Sequence, residues 1–140
     1  MLFGNTPEDT RAPFFSSWKK FKGNEPLTSL EKQLVAVIFD HPEYHRLFDQ
    51  SILDLTLQPG QENPFLHLGL HLAVRDQIAL NKPAGITEVY QALYQKHGDT
   101  LYVEHLMMEP LALCLWESQR DQQAPDELHY LKTCQELLSL

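Results

Sequence analysis

At 140 residues the chain has the length of one domain, enough for a single hydrophobic core. Its 43% hydrophobic and 21% charged content excludes a disordered or collagen-like chain, and its net charge of −8 would repel a phosphate backbone, which excludes nucleic-acid binding as its main role. No stretch approaches the roughly 18 apolar residues of a membrane span, and the N-terminus lacks the basic start and apolar run of a signal peptide. A cytoplasmic protein without a transmembrane segment is therefore expected. Cys114 and Cys134 lie in helical patterns without Cys-x-x-Cys spacing, as reduced core residues would.

After Pro13, the residues Phe14, Trp18 and Phe21 form an aromatic stripe beside Lys19, Lys20 and Lys22. Such a stripe packs across a bundle far more often than it lies on a membrane, although residues 1–22 would also suit a peripheral N-terminal helix. Thr28 and Glu31 have capping-box spacing ahead of the apolar face Leu30, Leu34, Val37 and Ile38. Pro42 suits the first turn of a further segment, in which His41, His45, Phe48 and Ile52 recur at three- and four-residue steps until Gln58-Pro59-Gly60.

Asn63 followed by Pro64 predicts a long helix reaching about Asn81, apolar nearly all round and so centrally buried. Thr87 is placed to cap a short helix with Val89, Leu93 and Tyr94, which Gly98 stops and after which Asp99 caps the next. That second mostly apolar helix runs from Thr100 to about Arg120, with a kink expected at Pro110, which removes a backbone donor. Asp126 caps a last helix carrying Leu128, Leu131, Cys134 and Leu138. The pattern defines an all-α chain, a single-domain helical bundle of five to six helices with short loops over residues 1–140.

The chemistry-bearing residues fall on the two most apolar helices. His67 and His71 are four apart and share a stripe with Val74 and Ile78 rather than with Arg75. His105 and Glu109 repeat the step, on the stripe of Tyr102, Ala112 and Trp116, while Glu104 and Glu117 project away from it, as surface groups or outer partners of a ligand would. Burying four such groups costs several kcal/mol unless each finds a partner or a cation. Imidazole mixed with carboxylate suits a divalent ion, iron, zinc or manganese, and bundles build metal sites from helix-borne steps of this kind. His45, and His41 where it does not serve only as a cap, would supply a third element's ligands. A buried His/Glu hydrogen-bond network that fixes helix register without an ion is the alternative. His97 suits a helix C-terminus, His129 suits solvent, and Met107 and Met108 read as core filling.

Taken together, His41-Pro42-Glu43-Tyr44-His45, Asn63-Pro64-Phe65-Leu66-His67 with His71, His105 with Met108-Glu109, and Trp116-Glu117-Ser118-Gln119-Arg120 resemble the motifs of an uncharacterised proteobacterial family, the domain of unknown function 1841. The resemblance covers nearly the whole chain. It implies a bacterial helical protein in which His41, His45, His67, His71, His105 and Glu109 form one set, and it implies no substrate. The sequence departs from that pattern at Glu104, where relatives often carry His, and at Pro110, where Cys is common. A weaker likeness, by analogy of ligand spacing only, is to hemerythrin and DinB-like metal-binding bundles.

Two functions follow as expectations. One is a metal-binding bundle with a mono- or dinuclear site, whose reaction and substrate the sequence does not name, so that whether it is an enzyme stays open. The other is a non-enzymatic scaffold, self-associating or binding a protein partner, with the same residues in a metal-free network.

Overall fold

Four helix starts are made by the side chains whose spacing announces them. The Thr28 hydroxyl accepts from Glu31 N–H at 3.2 Å while the Glu31 carboxylate accepts from Thr28 N–H at 2.9 Å, a complete capping box. Asn63 Oδ1 accepts from the N–H groups of Phe65 and Leu66 at 3.0 and 3.3 Å, Asp99 from Tyr102 at 3.1 Å, and Asp126 from His129 at 3.0 Å. Each satisfies donors that a helix N-terminus otherwise leaves unbonded.

The computed structural model of the chain describes residues 7–52 and 61–140. Across them run α1 (Pro7–Lys22), α2 (Ser29–Phe39), a 3-10 turn (Pro42–Tyr44), α3 (His45–Asp49), α4 (Pro64–Leu80), α5 (Ile86–His97), α6 (Thr100–Asp121), α7 (Glu127–Glu136) and a 3-10 turn (Leu137–Ser139). The fold is all-α, with no strand among the described residues. No helix among them is long and apolar enough to cross a membrane. The contacts divide the chain into two compact units, Met1–Leu68 and Gly69–Leu140, and the boundary falls inside α4.

In the first unit, α1 packs on α2 and α3. Phe14 and Trp18 are buried, and Phe14 and Phe15 meet the rings of Phe48 and Phe65 at centroid distances of 5.0–6.4 Å. The aromatic stripe thus faces the core, as its packing reading requires, and only Phe21 at its end is exposed. The helix starts earlier than expected and runs through Pro13. The buried ring contacts that follow offset the one backbone hydrogen bond the proline removes.

The segment after Asp40 is shorter than its periodicity suggests. Three residues form the 3-10 turn and five the helix α3, which Ser51 ends in the left-handed region at φ +50° while Ile52 N–H closes back on the Leu47 carbonyl at 3.0 Å. The expected Gln58-Pro59-Gly60 turn lies outside the described residues.

In the second unit, α5 packs on α6 and α7, and α6 on α7. The core holds Val74, Ile86, Val89, Leu93, Val103, Met107, Met108, Leu111, Tyr130 and both cysteines. Both cysteines are free thiols, and burial pushes Cys134 up to about 11. Thr87 does not cap α5. The N-cap is Gly85 at φ +103°, a conformation that favours glycine, and Asn81 Oδ1 reaches across the turn to accept from Gly85 N–H and Thr87 N–H at 3.0 and 3.3 Å. The Thr87 hydroxyl instead donates to the Ile78 carbonyl at 2.6 Å. Pro110 is buried within a helix that continues past it.

Candidate metal centre

Helix geometry places His67 and His71 on successive turns of α4, and each histidine is oriented by a different partner. The His67 ring is 17% exposed, and its Nδ1–H donates to Glu62 Oε1 at 2.6 Å. Glu62 Oε2 in turn accepts from the Tyr44 hydroxyl at 2.8 Å. Partial burial would raise the Glu62 pKa, but the Tyr44 hydrogen bond and His67 hold it below the usual carboxylate range. Tyr44 is shifted upward by its own burial and then by Glu62.

His41 sits where α2 ends. Its buried Nδ1–H donates to the Val37 carbonyl at 2.6 Å, one of the carbonyls a helix C-terminus leaves over. Its ring stacks on Tyr44, 11° from parallel, and crosses His67 edge-on with centroids 4.8 Å apart. His41 Nε2 and His67 Nε2 meet at 3.0 Å. A carbonyl and an ionised carboxylate accept only, so both Nδ1 atoms carry hydrogens and both Nε2 atoms present lone pairs. Two lone pairs at that distance can share a cation, either an extra proton or a metal ion.

In the second unit, His71 is fully buried and its Nε2–H donates to Glu104 Oε1 at 2.8 Å. Arg75 Nε donates to the same oxygen at 3.2 Å. Burial would raise the Glu104 pKa, but His71 and Arg75 lower it further and keep the carboxylate charged. The His105 ring lies 4.9 Å from that of His71, at 65°. His41 and His67 in the first unit, and His71 and His105 in the second, thus form two close pairs of imidazoles, a kind of group that could hold a metal ion.

The other two residues expected in the set stand elsewhere. His45 donates from Nε2 to the carbonyls of Ile38 and Phe39 at 3.0 and 3.2 Å, and its ring packs 4.9 Å from Trp18. It finishes the end of α2, and the nitrogen used for this carries a hydrogen, not a lone pair. Glu109 is exposed, as are Tyr102 and Trp116 on its stripe. The inward face of α6 is Val103, Glu104, Met107, Met108, Leu111 and Cys114, so the carboxylate turned inward is Glu104. Arg75, set on another face by the sequence reading, is one turn beyond His71 and reaches the same carboxylate.

Of the two carboxylates that hold His71 and His67, the sequence reading sets Glu104 aside as a surface group or an outer partner of a ligand, and it does not name Glu62. A signal for Glu104 exists, since it precedes Met107, Met108 and Leu111 by three, four and seven positions, the phase of the buried face. Glu62 lies just before the Asn63 cap, and no periodicity marks it.

An all-α chain with a set of histidines able to hold a metal is the class that fold and site define. The chain belongs to the family described as Domain of unknown function (DUF1841), which matches residues 6–136. No curated protein and no solved structure matches the chain.

Proposed function

We propose that the protein binds a divalent metal ion through His41 and His67 of the first unit. The observation that carries this reading is the approach of His41 Nε2 to His67 Nε2 at 3.0 Å with both opposite nitrogens committed as donors. Two imidazole nitrogens on one tetrahedral zinc, each at about 2.0–2.1 Å, stand about 3.3 Å apart, close to this separation. An imidazole held at its second nitrogen, as His41 is by the Val37 carbonyl and His67 by Glu62, is also how metal-binding histidines are usually oriented. An all-imidazole donor set suits zinc, iron, copper or nickel better than magnesium, calcium or manganese. Of the ions expected from the sequence, zinc and iron remain favoured. No reaction is assigned.

The metal-free network is a second reading, and the closed His71–Glu104–Arg75 arrangement favours it. There the His41–His67 contact holds an extra proton, and the histidines serve a scaffold. Thermal melting of protein purified without chelator separates the two. Metal binding predicts a melting temperature that falls on adding EDTA and recovers with zinc, because an ion bound only by the folded chain stabilises it. An unchanged melting temperature would favour the network.

The family resemblance and the pair of free cysteines support a bacterial, cytoplasmic setting. The one-domain reading of residues 1–140 rests on α4, whose single run of backbone hydrogen bonds is shared by both units.

A further inference from the structure

We propose that Glu62, held by Tyr44, is the positioning carboxylate of this metal centre, so that His67 binds the ion through Nε2. The inference rests on the metal-binding reading and adds which nitrogen binds and which residues choose it.

A neutral imidazole carries one hydrogen, and the nitrogen opposite that hydrogen is its ligand. Glu62 takes the His67 hydrogen at Nδ1, so Nε2 carries the lone pair that faces His41 Nε2 at 3.0 Å.

Glu62 is 60% exposed at its side chain, where a lone surface carboxylate would wander among rotamers, yet both of its oxygens are engaged, one by His67 and one by Tyr44. Tyr44 also stacks on His41, so one residue braces two of the ligands. The other hydrogen bond of Glu62 comes from a neutral hydroxyl, so the carboxylate passes negative charge to its imidazole and makes Nε2 a stronger donor.

The test is zinc titration of the full chain and of Glu62→Ala, Glu62→Gln, Tyr44→Phe and Glu43→Ala, with the metal-free melting temperature of each as a control for folding. Glu62 is exposed enough that its removal should leave the fold intact. The expected result is a 10- to 100-fold weaker zinc affinity in Glu62→Ala. Glu62→Gln should recover part of the loss, since its carbonyl oxygen still accepts from Nδ1–H. Tyr44→Phe should show a smaller loss, and Glu43→Ala, which removes the same charge nearby without touching a ligand, almost none. In the cobalt-loaded protein, the His67 Nδ1–H resonance should be shifted by the ion and slow to exchange, and in Glu62→Ala it should be lost to solvent. Zinc binding that is the same in Glu62→Ala and the parent would overturn the positioning role and leave the metal reading standing. Absence of zinc binding in the parent would overturn the metal reading itself.

Discussion

Glu104 holds two partners on one oxygen in a position nearly closed to water, and such a carboxylate ties stability to pH. Its folded pKa is lowered from the model-compound value of 4.5 by His71 and Arg75 against the opposing effect of burial. A depressed pKa contributes stability that is fully present above the unfolded value and is lost as pH falls through the folded one. The metal-free protein should therefore lose melting temperature on acidification below the ordinary carboxylate range. Glu104→Gln should be less stable at neutral pH by about 1–3 kcal/mol and lose less on acidification, since it has no charge to titrate. Parallel melting curves for parent and variant across that range would contradict this role. Glu104 also shows what the residue pattern could and could not convey. The His105–Glu109 step is correctly spaced for a shared ligand, but spacing is relative, and the orientation of the helix is set by the larger apolar surface of Val103, Met107 and Leu111, which turns Glu109 outward.

Elements whose ends are written in side-chain chemistry could be read in advance, and α4 is the clearest. Asn63 and Pro64 place its start because an Asx cap and a proline act within one turn, with no help from distant residues. Asn63→Ala should cost about 1 kcal/mol in denaturant unfolding, and a change below about 0.3 kcal/mol would mean that the cap is redundant. Short elements were legible only in part. The periodicity of His41, His45 and Phe48 is real, but a five-residue α3 makes too few backbone bonds to be set by periodicity, and its limits come from the Pro42 turn and the left-handed Ser51. His45 consequently finishes the preceding helix rather than pointing with His41. The start of α5 was hidden for a similar reason, because Asn81, several positions earlier, does the work that Thr87 seemed placed to do.

At the scale of the whole chain, helical class was legible because apolar periodicity, caps and breakers agree from Thr28 to Leu138, and such agreement specifies a fold class. The division into two units was not, since it depends on which helices meet, and α4 reads as one element from its sequence and belongs to both. Among the expected ligands, His41 at the end of α2 meets His67 of α4 in the first unit, and His71 of α4 lies beside His105 of α6 in the second. The central claim is that His41 and His67 hold an ion, and elemental analysis of the full chain purified without chelator, beside His67→Ala, tests it most directly. The account predicts one zinc or other late first-row ion per chain in the parent and a marked loss in the variant. Metal far below one ion per chain, at the same level in both proteins and not raised by added zinc, would contradict it.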